Sequence, residues 1–106
     1  SIRVENGVVK FYCASGSADL APGAADALGD VVKGVAAGQT AVISGYHDTT
    51  GDPAQNEELA KQRALAVRDA LKVLGIGDDK LDLKKPEVTT ASGSNAEARR
   101  VEVSLQ

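Results

Sequence analysis

The sequence predicts an α/β (α+β) two-layer sandwich, in which a mixed β-sheet is covered by two main helices in the order β-α-β-α-β-loop-β. Short apolar runs suited to strands alternate with longer segments of helical periodicity, the pattern of helices packed on a sheet. Aromatic residues make up only 3% of the chain, so the core must be built from Val, Leu, Ile and Ala. The length of 106 residues suffices for one core, and we expect residues 1–106 to form a single domain.

The first half of the sequence predicts a strand followed by a helix. Val8–Cys13 alternates as a strand does, and a loop rich in Gly, Ser and Ala follows it. Pro22 then opens a helix, and Gly38 is placed to end it. The apolar residues that recur at helical spacing in this segment are Leu28, Val31, Val32 and Val35. Its internal glycines weaken helix propensity but would let the helix lie close to a sheet.

The second half predicts a buried strand, a long helix and two further strands. Thr40–Gly45 is nearly continuous in apolar residues, which is typical of a central strand. Asp52 and Pro53 have the chemistry of an N-cap and a first helical residue, and Gly75 ends the helix they begin. After it come a third strand around Leu81 and Leu83, a polar loop over Pro86–Glu97 and a last strand over Val101–Leu105.

The charge of the chain argues against a nucleic-acid partner. The net charge is −3, and the lysines and arginines do not gather into the basic face that phosphate binding needs. The single cysteine, Cys13, cannot form a disulfide within the chain. Neither a signal peptide nor a long apolar segment is present, and we interpret the sequence as a piece of a longer protein. Any membrane anchor would then lie in a segment outside this chain.

The long helix carries an arginine in the middle of its apolar stripe. The residues that fall on this stripe are Asn56, Leu59, Ala60, Arg63, Val67, Ala70, Leu71 and Leu74. Burying the guanidinium of Arg63 costs several kcal/mol of lost hydration unless an anion meets it. Asp48, just after the preceding strand, supplies a carboxylate. We therefore predict that Asp48 and Arg63 face each other, with Asn56 close to them.

A carboxylate, a guanidinium and an amide together can receive an amino-acid centre. Asp48 would take its ammonium group and Arg63 its carboxylate. Simpler interpretations exist for each residue, since Asp48 fits an Asx-turn and the long stem of Arg63 could carry its charge out to solvent. For the three residues together, the alternative is an internal salt bridge with no ligand.

Other chemistry has less support in the sequence. His47 is the single histidine, and no metal-ligand spacing surrounds it, so we expect no metal and no cofactor. A nucleophilic triad could be drawn from Cys13, His47 and Asp48, but no oxyanion-hole signature accompanies these residues. We therefore do not expect the protein to be an enzyme. Arg99 and Arg100 point to opposite faces of the last strand, and periodicity does not decide which of them faces the site.

Several spaced motifs together resemble one known family. These are the aromatic strand and Leu-x-Pro run of Phe11–Pro22, Gly45-Tyr46-His47-Asp48, Gly51, Asn56, Leu59, Arg63-Ala64, Gly75-Ile76 and Arg99-Arg100-Val101-Glu102. The chain resembles the OmpA-like C-terminal domain, a peptidoglycan-associating module of Gram-negative cell envelopes. It departs from the family pattern where Tyr46-His47 replaces His-Thr, at Cys13 and Ala98, and in a short last loop that lacks a Gly-Tyr-Gly stretch.

The resemblance implies a function and a set of contacts. In the family, the diaminopimelate residue of the peptidoglycan stem peptide is held by residues that correspond to Asp48 and Arg63, with Asn56 and Arg99 assisting. The implied role is non-catalytic anchoring of a larger envelope protein to the cell wall, in the periplasm. The alternatives are a scaffold domain of the same fold that no longer binds the wall, and a small hydrolase that uses His47 and Asp48.

The histidine beside Asp48 adds one further expectation. Histidine changes charge near neutrality, so ligand affinity is expected to change between roughly pH 5.5 and 7.5. We accordingly include His47 among the expected ligand-binding residues. The alternative is a loop histidine that faces solvent.

Overall fold

The structure, a computed structural model, describes residues 2–12, 23–47, 52–85, 87–88 and 99–106. The helices within these ranges are α1 (Ala24–Ala27), α2 (Gly29–Ala36) and α3 (Pro53–Val73). The strands are β1 (Ile2–Glu5), β2 (Val8–Tyr12), β3 (Ala41–His47), β4 (Leu81–Leu83), β5 (Glu87–Val88) and β6 (Arg100–Leu105). A short 3₁₀ helix, Asp78–Lys80, leads into β4.

The strands form a mixed sheet with the order β1-β2-β6-β3-β4, and the short β5 pairs with β3. The β1/β2, β2/β6 and β6/β3 pairs are antiparallel, whereas β4 and β5 run parallel to β3. The α3 helix packs against β3, β6 and β4, and α2 packs against β6. The core lies between these helices and the sheet, so the predicted α+β two-layer architecture with a mixed sheet is confirmed.

The chain begins with a hairpin that the sequence interpretation missed. It predicted β2 but not β1, which pairs with β2 from Ile2 opposite Phe11 to Glu5 opposite Val8. The connecting residues Asn6 and Gly7 both have positive φ, 53° and 79°, as an Asn-Gly hairpin turn requires. Most of β1 is exposed, so it lacks the apolar alternation by which strands are recognised. The predicted element order therefore has to be extended by one strand at its start.

The first predicted helix is divided into two. The α1 and α2 segments meet at Leu28, which forms a turn and is completely buried. Gly23, with φ of 89°, precedes α1, whereas Pro22 lies outside the described residues. Gly38, with φ of 104°, follows the last turn of α2 as predicted. The predicted polar loop over Pro86–Glu97 contains β5, and its remainder lies outside the described residues.

The two elements that flank the predicted site form as expected. The β3 strand lies between β6 and β4, and it extends two residues beyond the predicted end at Gly45. The side chain of Asp52 accepts a hydrogen bond of 3.0 Å from the backbone N–H of Ala54, so the predicted N-cap of α3 is confirmed. Gly75, with φ of 101°, follows the end of this helix, also as predicted.

Gly45 allows α3 to lie unusually close to β3. A Cβ atom at this position would lie 2.7 Å from the backbone oxygen of Ala60 and 3.6 Å from the Cβ of Ala64. The nearest atom belongs to helix backbone, which cannot move aside as a flexible side chain can. The absence of a side chain at Gly45 therefore sets the distance between the helix and the end of the strand.

Replacing Gly45 with Ala is expected to destabilise the domain. The added methyl group must push α3 away from β3, at a cost of about 1–3 kcal/mol in the free energy of unfolding. Chemical denaturation of the two proteins measures this difference. Gly29→Ala is the matched control, because nothing lies within 4 Å of a Cβ at Gly29 in α2. An equal denaturation midpoint for Gly45→Ala and the unmodified chain would contradict the close approach.

Candidate functional site

Arg63 is buried in the contact between α3 and the sheet. The residue is 1% exposed, and its neighbours on the same helix face, Ala60, Ala64 and Val67, are at most 1% exposed. Among the described residues, Arg63 is the largest side chain that is fully buried. The expected burial of this arginine is confirmed, and the interpretation in which its charge reaches solvent is wrong.

A guanidinium in this position requires partners. Arg63 has at least one interaction partner within the protein. Asp48, the partner expected from the sequence, lies outside the described residues. The ion pair between Asp48 and Arg63 therefore stays a prediction.

Asn56 lies in the first turns of α3, about two helical turns before Arg63. It is half-buried, and its backbone N–H donates a 3.0 Å hydrogen bond to the backbone oxygen of Asp52. The predicted apolar stripe is correct at its centre but less so at its C-terminal end, where Leu74 is 36% exposed. Leu74 lies just after the last residue of α3, and Ala64, which was not assigned to the stripe, is buried beside Arg63. Asn56 and Arg63 lie before and after Ala60, the residue of α3 whose backbone approaches Gly45 in β3.

His47 is the last residue of β3 and is buried, with 5% of its surface exposed. Alternation along β3 places Ala41, Ile43, Gly45 and His47 on the face that α3 covers, since Gly45 contacts that helix directly. The interpretation of His47 as a solvent-facing loop residue is wrong. His47 has at least one interaction partner within the protein. The expected pH dependence of ligand binding stays a prediction.

The structure separates the two consecutive arginines. Val101 and Val103 are completely buried in the core, so the residue at position 99 shares their side of the sheet and Arg100 takes the other. Arg99 is half-buried, and its Nε atom is shielded from solvent. Gly45 pairs with Val101, and continuing this antiparallel register brings His47 across from Arg99. Of the two arginines, Arg99 is therefore the one on the side of Arg63.

Arg100 belongs to a cluster on the opposite face of the sheet. Its Cζ atom lies 4.1 Å from the centroid of the Tyr46 ring, and its Nε donates a 2.5 Å hydrogen bond to Oε2 of Glu102. We call Tyr46, Arg100 and Glu102 the back-face stack. Sequence interpretation missed it, although the strand alternation that separates Arg99 from Arg100 also places these three side chains on one face.

The covered face thus collects positive and polar groups near one end of β3. Arg63 comes from α3, Arg99 from the position just before β6 and His47 from the end of β3, with Asn56 half-buried on the same helix as Arg63. Two guanidinium groups and an amide are suited to a carboxylate, which accepts hydrogen bonds from each of them. In the part of the chain that the structure describes, no three His, Cys, Asp or Glu side chains are grouped closely enough to hold a metal ion. None of the described helices is both long and apolar enough to cross a membrane.

Comparison with known proteins identifies the family. The model of the OmpA family matches residues 12–102. The peptidoglycan-associated lipoprotein from Burkholderia pseudomallei is 26% identical with a TM-score of 0.78, over 92% of this chain and 89% of that one. The OmpA-like domain of FopA1 from Francisella tularensis is 20% identical with a TM-score of 0.73, over 99% and 80% of the two chains.

A MotB-like protein from Desulfovibrio vulgaris is also similar, at 24% identity and a TM-score of 0.69, over 100% of this chain and 80% of that one. At identities below 25%, the second and third similarities establish the fold alone. No curated protein sequence is significantly similar to this chain. The family match spans most of the sequence and includes the buried arginine, both residues of the arginine doublet and the end of β3, and on this basis the chain is a member of the OmpA family.

Proposed function

We propose that this domain binds peptidoglycan without catalysis and anchors a larger envelope protein to the cell wall. The observation that carries the proposal is the burial of Arg63, at 1% exposure, in a helix face that lies against the end of β3. A buried guanidinium is costly unless an anion or strong hydrogen-bond acceptors meet it, and a bound carboxylate is such a partner. Membership of the OmpA family and the similarity to a peptidoglycan-associated lipoprotein supply the class of ligand.

The proposed ligand contact is the amino-acid end of diaminopimelate in the stem peptide. Arg63 donates two hydrogen bonds to its carboxylate, and Asp48 accepts from its ammonium group. Arg99 and Asn56 complete the contacts to the carboxylate from the neighbouring strand and helix, with His47 beside them. Lysine differs from diaminopimelate in lacking this second amino-acid centre, so the site distinguishes the two residues by charge and shape.

Such a site gives modest affinity for a single stem peptide. Two to four charge-assisted hydrogen bonds contribute about 1.5–3 kcal/mol each, and ordering the ligand removes part of this. The net result is a dissociation constant on the order of micromolar to millimolar. Because the cell wall repeats the ligand many times, the domain rebinds after each release and stays associated with the polymer.

The proposed setting follows from this ligand. The cell wall of Gram-negative bacteria lies in the periplasm, so the domain acts there. It needs no cofactor.

The second candidate function is a scaffold domain that keeps the fold but has lost wall binding. The observation that favours it is that Arg63, His47, Asn56 and Arg99 are all already engaged in interactions within the protein. In this alternative Asp48 and Arg63 bond only to each other. The two functions are distinguished by whether the domain associates with isolated cell walls.

Replacing Arg63 with Leu is expected to abolish co-sedimentation with purified diaminopimelate-containing sacculi. The leucine fills part of the buried space but cannot bind a carboxylate, so the domain still folds while binding is lost. Arg68→Leu is the matched control, since Arg68 lies on the same helix but its side chain is 35% exposed and paired with Asp69 at 3.0 Å. Arg68→Leu is expected to sediment like the unmodified domain.

Circular dichroism of both variants checks that the fold is retained. Unchanged sedimentation of a folded Arg63→Leu variant would refute the proposed function. Equal loss in the Arg63 and Arg68 variants would show that sedimentation reports overall charge and not the site.

The affinity for sacculi is expected to change between about pH 5.5 and 7.5, and His47 is expected to cause the change. Binding isotherms over this range test the expectation, and His47→Thr, which restores the residue of the family pattern, should remove the dependence. A flat series for the unmodified domain would contradict it.

A further inference from the structure

Arg99 lies at the end of a strand, and some contact must keep its side chain on the face of the sheet that the helices cover. Val101 and Val103, both completely buried, determine which side each residue of β6 takes. They follow the doublet, however, while Arg99 precedes the first residue of the strand. Strand ends open more readily than strand centres, so the position of Arg99 depends on how firmly its neighbour Arg100 is held. A contact that holds Arg100 therefore also holds Arg99.

The back-face stack is such a contact. The guanidinium of Arg100 lies 4.1 Å from the ring centroid of Tyr46 and is bonded to Glu102. The side chains of Arg100 and Glu102 are only 18% and 22% exposed, so solvent screens their attraction less than on an open surface. The backbone of Arg100 also pairs with Tyr12 of β2, on the side away from β3.

The stack joins the two strand ends that carry the proposed site. Tyr46 immediately precedes His47 at the end of β3, and Arg100 immediately follows Arg99 at the start of β6. The last pair in the β3/β6 register is Gly45 with Val101, one step before the stacked pair. The contact between Tyr46 and Arg100 thus extends the association of the two strands beyond that pair, on the face away from the helices.

We infer that Tyr46, Arg100 and Glu102 are positioning residues, which hold Arg99 and His47 in place from the opposite face of the sheet. The inference rests on the proposed function, because the site being positioned is the proposed peptidoglycan site. Tyr46 is also one of the positions at which this chain departs from the family pattern. The two arginines then have different roles, since Arg99 faces the ligand and Arg100 holds the start of β6 in position.

A double-mutant cycle tests whether Tyr46 acts on binding through Arg99. Tyr46→Leu should weaken binding to sacculi about 3- to 10-fold in the unmodified domain. In an Arg99→Ala background the same change should weaken binding less than about 2-fold, because the residue it positions is already gone. Tyr46→Phe keeps the ring and should restore the affinity. Arg3→Leu is the matched control, since it removes another cation–ring contact on this face, in which the Cζ atom of Arg3 lies 5.7 Å from the centroid of the Tyr12 ring.

A second measurement is made without ligand. In the NMR spectrum of the free domain, the Nε–H signal of Arg99 should shift in Tyr46→Leu and keep its position in Arg3→Leu. Glu102→Gln provides the same test should Tyr46→Leu fail to fold. Equal losses of affinity in both backgrounds, or an unmoved Arg99 signal, would overturn the inference. An unmodified domain that binds no sacculi would refute the proposed function instead, while the Arg99 signal would still decide whether the stack positions this arginine.

Discussion

The burial of one guanidinium under α3 is the constraint on which the rest of this structure depends. Arg63 is 1% exposed among alanine and valine side chains, where the loss of its hydration must be offset by hydrogen bonds and opposite charge. The close packing that buries it is made possible by Gly45, whose missing side chain lets the backbone of Ala60 approach the strand. A glycine in β3 and an arginine in α3 therefore have linked roles. Gly45 lets α3 lie close to β3, and Arg63 places a positive charge in the contact between that helix and the sheet.

Strand alternation then sorts the remaining polar residues between two faces. On the covered face, His47 and Arg99 join Arg63 at one end of the sheet, whereas Tyr46, Arg100 and Glu102 gather on the other face. Adjacent residues of the same strand thereby have different surroundings and different proposed functions. The doublet of arginines illustrates this, because two identical side chains differ only in which side of the sheet they occupy. The buried valines that follow them decide the assignment.

Much of the fold could be predicted from the sequence, since the signals were local and strong. The capping side chain of Asp52, the positive-φ glycines after α2 and α3 and the apolar run of β3 each act within a few residues. The hairpin strand β1 was missed because an exposed strand has little apolar alternation, although Asn6-Gly7 carried a turn signal. The break at Leu28 was missed because a buried leucine at helical spacing looks the same in one helix as at the junction of two.

The site was predictable in part for the same reasons. The burial of Arg63 could be anticipated because its position on an apolar stripe depends only on helical periodicity. Periodicity also placed Arg99 and Arg100 on opposite faces of the last strand, but it could not decide which of them faces the site, since that depends on which face of β6 packs against the helices. The stacking of Arg100 on Tyr46 depends further on the register between two strands that lie far apart in the chain. Tertiary contacts of this kind leave no signal in a single sequence.

Titration of the isotope-labelled domain with diaminopimelate, followed by NMR and compared with lysine, tests the central claim most directly. We predict saturable shifts that are concentrated at Gly45–His47 and around Arg63, with much weaker effects from lysine because it lacks the second amino-acid centre. Shifts that are absent from these residues, or equal for the two compounds, would contradict the account of a buried guanidinium that receives an amino-acid carboxylate.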